Sequence, residues 1–211
     1  MVRLLLSAGA DLDYVNGRTW TPLSYIWDPQ RPSHAATELI EICKLEGFSG
    51  WEYRDMWGWT PMHRAAAFGH GEDVQKLLDV GVSPNAVTVP AAWRPVHCSV
   101  KYGNESTFDK FVERTVPAVL LKMRDARGWT LLHLAAERGS KNILLKLLGM
   151  GASPEILSDP STVLVPEGLQ GMQLLPRTIA IHCHNKEIFD EAIREAQDMA
   201  VTGQSDLDHA L

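Results

Sequence analysis

Three histidines, His63, His97 and His133, recur along the chain at spacings of 34 and 36 residues. A catalytic histidine needs an acid that orients it and a nucleophile that it activates. Each of these histidines instead closes the same short pattern, "WTPMH", "WRPVH" and "WTLLH". Because a residue copied at the period of a repeat serves the fold, the pattern predicts a structural role. We therefore expect no enzyme activity.

A further histidine group, "HCHN" at 182–185, could bind a metal ion. Zinc takes about four converging ligands, whereas adjacent side chains on a helix point ~100° apart. His34 and His209 could join His182 and His184 only if the fold happened to bring them close. The sequence also contains no phosphate-binding loop and no hydrolase motif. It therefore predicts no metal and no cofactor.

The composition argues against several classes of partner. Of the 211 residues 45% are hydrophobic, and the formal net charge is −6. No basic cluster exceeds what one solvated helix face carries, which argues against nucleic acid. No apolar run approaches the ~18 residues of a membrane span. The three cysteines lie far apart and are odd in number, which favours a reducing, intracellular setting, cytoplasmic or nuclear.

The histidine pattern belongs to a longer repeat. "GWTPMHRAAAFGH" at 58–70 recurs as "GWTLLHLAAERGS" at 128–140, with weaker copies at 18–27, 92–104 and 174–185. A second pattern follows the first and reads "DVQKLLDVGVSPN", "NILLKLLGMGASP" and, at the start of the chain, "MVRLLLSAGADLD". Self-similarity at such a spacing is the signature of a repeat architecture.

Each repeat predicts a pair of short helices. Thr60 is a helix N-cap and Pro61 suits the first helical position. Gly69 supplies a left-handed stop. In the second helix Val74 and Leu77 share one apolar face. Because one such pair is too short to bury its own apolar face, neighbouring pairs must stack to form a core.

These patterns resemble ankyrin repeats. The resemblance rests on TPMHRAA, TLLHLAA, a period of about 33 residues and a trailing LL-x-x-G. It is closest over 55–85 and 125–154. It implies an all-α solenoid of helix-turn-helix units, each preceded by a hairpin-like finger loop, and it implies that the repeated histidine links neighbouring fingers through hydrogen bonds.

The resemblance divides residues 1–200 into a single repeat array with a tail. The expected segments are a partial repeat 1–15, repeats 16–54, 55–88, 89–124 and 125–158, a long loop 155–173, a degenerate last repeat 174–200 and a flexible tail 201–211. A further loop is expected around 28–36, where two prolines interrupt the helix pair.

The resemblance further implies a non-catalytic scaffold that binds a partner protein through the concave face of the array. Four tryptophans precede the Thr position of successive repeats and could pack between repeats, line the groove, or do both. Other residues at matched finger and inner-helix positions are better contact candidates. The expected partner-binding residues are Met56, Trp57, Trp59, Phe68, Trp93, Lys101, Tyr102, Trp129 and Arg138.

An alternative is that the chain is a regulatory or architectural ankyrin segment of a longer multidomain protein. Its first helix, with Leu5 and Leu6, would then be covered by a preceding repeat. The expected partners in either case are other proteins, with no nucleic acid and no membrane span, and the chain is expected to be a monomer. The sequence does not name the partner, since one fold serves unrelated functions.

Overall fold

The computed structural model describes residues 2–29 and 36–208. The chain divides into two compact units, unit 1 (Met1–Arg114) and unit 2 (Thr115–Leu211). In the described residues all regular structure is helical, apart from an isolated bridge between Arg124 and Thr130. The predicted all-α class of helix-turn-helix ankyrin repeats is confirmed. None of the described helices combines the length and the apolar character that crossing a bilayer requires.

Unit 1 is built from pairs of short helices. A helix of one pair packs against the equivalent helix of the next pair. Thus α4 packs on α6, and α5 lies between α3 and α7. The helices are α1 (Val2–Ser7), α2 (Pro22–Tyr25), α3 (Ala36–Leu45), α4 (Pro61–Phe68), α5 (Gly71–Asp79), α6 (Pro95–Tyr102) and α7 (Glu105–Arg114), with a 3-10 turn at Gly50–Glu52.

The start of α4 follows the predicted signals. Thr60 is the N-cap and Pro61 occupies the first turn, while the His63 ring accepts a hydrogen bond from the Thr60 backbone N–H at 3.2 Å. The helix does not end in a left-handed residue as predicted, because Gly69 has φ −88°. Glycine is needed there for space instead, since a Cβ would lie 2.8 Å from the indole nitrogen of Trp27.

Unit 2 repeats this arrangement around a longer insertion. Its helices are α8 (Pro117–Leu120), α9 (Leu131–Arg138), α10 (Lys141–Gly149), α11 (Pro176–His182) and α12 (Lys186–Asp208). The first helix of each pair packs on the first helix of the next, α9 on α11, and the second on the second, α10 on α12.

Two predicted segments of unit 2 can be compared with its backbone. Residues 155–173 contain no helix, as Pro160, Pro166, Gly168 and Gly171 indicated. The tail expected from residue 201 begins inside a helix, because α12 continues to Asp208 without interruption. Residues 209–211 and most of the loop expected at 28–36 lie outside the described residues.

The fingers before α4 and α9 are tight turns, and the one before α9 is closed by the isolated antiparallel bridge between Arg124 and Thr130. In the first, the Asp55 N–H donates to the Trp59 carbonyl at 2.9 Å and the Gly58 N–H to the Asp55 carbonyl at 2.8 Å. The Asp55 side chain also accepts from the backbone N–H groups of Trp57 and Trp59, each at 2.9 Å. These bonds fix the backbone of the turn that carries both tryptophans.

Candidate functional site

The repeated histidines hold neighbouring repeats together within each unit. His63 Nδ1 accepts from Thr60, so its Nε2 carries the proton and donates to the Trp93 carbonyl at 3.0 Å. His133 makes the same bond to the Leu174 carbonyl at 2.9 Å. Burial lowers the pKa of both His63 and His133 to about 4. The predicted link between fingers is confirmed at these two residues.

The other groups that could do chemistry are placed unfavourably for it. Burial raises the pKa of the Cys43 thiol to about 12 and also raises that of Cys98, which keeps both thiols protonated and unreactive. His182 and His184 are exposed. The described residues bring together no group of three or more potential metal ligands, and His34 and His209 lie outside those residues.

A cavity of about 400 Å³ in unit 1 is lined by several of the predicted binding residues. We call it the aromatic cavity. Its walls come from the fingers before α2 and α4, from the segment after α2, from α4 itself and from the end of α6. The lining residues are Arg18, Trp20, Asp28, Pro29, Trp57, Trp59, Arg64, Phe68 and Tyr102.

The rings of the cavity pack on one another in a fixed order. Trp59 stacks on Phe68 with centroids 6.1 Å apart and an angle of 16° between the planes. Tyr102 meets Phe68 edge-on at 4.7 Å and Trp59 edge-on at 5.9 Å. Trp57 meets Trp20 edge-on at 6.0 Å. Such offset and edge-on contacts are the preferred geometries of aromatic pairs, so the rings of the walls stabilise one another.

A buried arginine forms the floor. Arg64 is 4% exposed, and its guanidinium pairs with the buried carboxylate of Asp55. The same guanidinium lies 3.8 Å from the ring centroid of Trp20. A buried charge needs both a partner and hydrogen bonds, and Asp55 with the Trp20 ring supplies the electrostatic compensation.

The exposure of the cavity rings sets what a ligand could touch. Trp57 is 49% exposed and Tyr102 is 40% exposed, whereas Trp20 is buried. Trp59 and Phe68 are half-buried. The cavity therefore offers two open rings at its rim and two partly covered rings deeper inside.

The sequence located part of this site. Four of the predicted residues line the cavity: Trp57, Trp59, Phe68 and Tyr102. Three others in unit 1 do not line it: Met56 is exposed, and Trp93 and Lys101 are half-buried.

Five lining residues were not among the expected contacts: Arg18, Trp20, Asp28, Pro29 and Arg64. Trp20 is one of the four repeated tryptophans that could line the groove, and Arg64 also carried a signal in the sequence. Arg64 occupies the position after the repeated histidine, where the two other repeats that have this histidine carry the buried apolar residues Cys98 and Leu134. The repeat fold does not require a charged residue at this core position, so the arginine indicates a separate role.

In unit 2 the tryptophan equivalent to Trp59 is Trp129, and it is not accessible to a ligand. Trp129 is 0% exposed. It therefore presents no surface to a partner, in contrast to its place among the expected contacts. Arg127, at the position of Trp57, lies 3.7 Å from the Trp129 ring centroid and pairs with Asp125 at 2.8 Å. Arg138, at the position of Phe68, is exposed.

Comparisons with known proteins agree with the repeat pattern. The family model described as ankyrin repeat matches residues 57–89 and 127–159. Over 154 residues the chain is 30% identical to the transient receptor potential cation channel subfamily A member 1 of Homo sapiens, a match that covers 72% of this chain and 13% of that protein.

Two further relatives are similar over shorter or weaker matches. Alpha-latrotoxin-Lg1a of Latrodectus geometricus is 32% identical over 50% of this chain and 8% of its own length. Rabankyrin-5 of Mus musculus is 26% identical over 64% of this chain and 14% of its own length. The chain thus spans less than a fifth of each of these relatives.

Proposed function

We propose that this chain, an ankyrin-repeat protein, binds another protein through the aromatic cavity of unit 1 and catalyses no reaction. Ankyrin repeats generally mediate protein–protein interactions. The observation that carries the proposal is the pair of open rings, Trp57 and Tyr102, at the rim of a preformed cavity. Aromatic residues in such pockets supply most of the binding energy at many protein interfaces.

The other expected contact residues do not line the cavity and have different roles in this proposal. Met56 and Lys101 neighbour cavity residues in the chain and would lie at the edge of the contact. Trp93 provides the backbone carbonyl that accepts from His63, and its side chain does not line the cavity, so it is not part of the proposed contact. That the contact lies on a concave face of the repeat array, and that Arg138 takes part, stay predictions from the resemblance.

The alternative function, a regulatory or architectural segment of a longer protein, has its own support. The matched relatives are many times longer than the matched region, which covers 8% to 14% of them. The two functions are compatible, because an embedded repeat segment can bind a partner. An intracellular setting and a monomeric state stay predictions, the first from the cysteine spacing.

The test compares variants that remove the open rings. Trp57→Ala and Tyr102→Ala should each leave the thermal midpoint nearly unchanged, because the rings are 49% and 40% exposed. Each should weaken capture of the partner by about 1–2 kcal/mol or more. The partner is the protein that wild type retains from a cell extract, identified by mass spectrometry and then purified for titration.

Tyr14→Ala is the matched control, because Tyr14 is 63% exposed and lies outside the cavity lining. It should change neither the midpoint nor the affinity. Folded Trp57 and Tyr102 variants that bind every captured protein as well as wild type would refute the proposed site.

A further inference from the structure

The aromatic cavity already contains a cation of its own. The Arg64 guanidinium carbon lies 3.8 Å from the Trp20 centroid, 5.8 Å from that of Trp57 and 5.9 Å from that of Trp59. Aromatic rings attract a cation within about 6 Å of their centre. Since the Arg64 guanidinium already occupies the position beside these rings, a cationic ligand group would have to displace it. The cavity is therefore suited to a ligand group without positive charge.

The open walls present hydrogen-bond donors. Within the described part of the chain, the indole nitrogens of Trp57 and Trp59 and the Tyr102 hydroxyl form no hydrogen bond. An indole N–H can only donate. A matching ligand brings acceptors together with apolar surface. A polyproline II segment does so, because its carbonyl groups have no internal partners and its proline residues lack the N–H.

The rim of the cavity favours a ligand that carries a negative charge. Arg18 lines the cavity and is exposed, with its guanidinium 5.9 Å from the Trp20 centroid. Among the described residues it forms no ion pair. Asp28, the carboxylate of the lining, already has an interaction of its own. A carboxylate on the ligand would therefore find its partner at Arg18.

We propose that the occupant of the aromatic cavity is an extended, proline-containing segment of a partner protein, with an acidic residue placed at Arg18. This inference rests on the proposed function and names the class of partner. A proline ring packs against the open rings of Trp57 and Tyr102, while the neighbouring carbonyls accept from the indole N–H groups. The segment is largely ordered before it binds, which lowers the entropic cost of binding.

The test uses short fluorescent peptides and the full chain, with affinity measured by fluorescence anisotropy. The first peptide has proline at every third position, the polyproline II repeat, and a glutamate on one flank. Three matched peptides replace the glutamate by glutamine, the prolines by alanine, or the central proline by trimethyl-lysine. The order of affinity should be glutamate, then glutamine, with the alanine and trimethyl-lysine peptides weakest.

Single-residue variants of the protein test which side chain is responsible for each part of this peptide preference. Trp57→Ala should weaken the first peptide by about tenfold or more, and Tyr102→Phe by about threefold because it removes only the hydroxyl. Arg18→Gln should weaken the glutamate peptide by about two- to fivefold and leave the glutamine peptide unchanged. Tyr14→Ala again serves as the control and should change nothing.

The outcomes separate this inference from the proposed function. Equal or tighter binding of the alanine or trimethyl-lysine peptide overturns the inference, and so does a lack of binding by the first peptide. In both cases the proposed function stands if Trp57→Ala still weakens the captured partner. If Trp57→Ala affects neither the peptides nor the partner, both are wrong.

Discussion

Arg64 shows how one residue can serve both the fold and the site. Its position in the repeat belongs to the core, where Leu134 is found in unit 2. The guanidinium is retained there because Asp55 and the Trp20 ring face it. Asp55 in turn orders the finger by accepting from Trp57 and Trp59. Losing the arginine should therefore disturb both stability and the shape of the cavity.

We predict that Arg64→Leu destabilises the protein although leucine suits this repeat position. The change leaves the Asp55 carboxylate buried without its counter-charge, which costs about 3–5 kcal/mol. Urea unfolding at neutral pH measures the loss. Adding Asp55→Asn to Arg64→Leu should restore part of it, because the amide oxygen can still accept from the finger. A single variant as stable as wild type would contradict the prediction.

The buried histidines make stability depend on pH. Burial lowers the pKa of His63 and His133 from 6.5 to about 4 in the folded chain. Between these values the unfolded chain binds protons that the folded chain does not. Stability is therefore complete above about pH 6.5 and falls as the pH drops towards 4, by about 2–3 kcal/mol for each histidine.

Urea midpoints measured across this pH window test the prediction. His133→Gln should be less stable than wild type at neutral pH and should lose less on acidification, since one buried titrating group is gone. His182→Ala is the control, because His182 is exposed, and it should keep the wild-type slope. A flat profile in wild type would show that the histidines do not remain neutral in the folded chain.

At the scale of elements, the insertion 155–173 shows what local pattern cannot predict. Its prolines and glycines predicted that it would not be helical, but they did not predict where it lies. It is fixed by the Asp159 N–H donating to the Gly128 carbonyl at 3.2 Å and the Ser158 N–H to the Leu174 carbonyl at 2.9 Å. The Gly128 carbonyl belongs to the finger before α9, and the local pattern of the insertion does not point to it. The bond to Leu174 instead closes the last finger, as the bonds from Asp55 to Trp59 and from Asp125 to Trp129 close theirs, and so follows the repeat.

Gly58 and Gly128 occupy the same finger position and provide a matched pair. Both have positive φ, +75° and +68°, so alanine at either costs roughly 1–2 kcal/mol of backbone strain. At Gly58 the nearest atom to an added Cβ is 3.3 Å away, the nitrogen of Val89. At Gly128 the Cβ would lie 2.6 Å from the backbone nitrogen of Asp159.

We therefore predict that Gly128→Ala destabilises unit 2 more than Gly58→Ala destabilises unit 1, by a further 1–3 kcal/mol or so for the displaced loop. Hydrogen exchange of the core helices α9 and α4 measures each unit separately. Equal losses in the two variants would mean that the insertion moves aside freely, and would remove the argument that it is part of the unit 2 structure.

At the scale of the whole molecule, the repeat pattern predicted most of the helices and about half of the residues that line the aromatic cavity. A residue copied at the repeat period could be assigned to the fold, as for His63. Residues at variable positions of one repeat could be placed on a shared face, as for Trp57 and Phe68. Arg18 and Pro29 follow neither rule, because they enter the cavity from irregular segments whose path depends on tertiary packing. Sequence period alone cannot place them.

The relation of each helix to its neighbours also predicts where the chain opens first. In unit 1, α5 packs on both sides, against α3 and α7, and its Val74 and Leu77 are completely buried. By contrast α1 has six residues and its Leu4 is 74% exposed. Local opening costs least where few apolar groups are buried, so α1 should open before α5.

Amide hydrogen exchange of this polypeptide tests the order. The amides of 2–8 should exchange faster than those of 74–80, with protection in α5 approaching that of the whole unit. Leu77→Ala should lower protection in α5, since it removes a buried side chain from that helix, whereas Leu4→Ala should leave α5 unchanged. Measurements at several protein concentrations control for self-association, which would cover α1 and slow its exchange. Slower exchange at 2–8 than at 74–80 in dilute protein would show that α1 is held by contacts stronger than its exposure indicates.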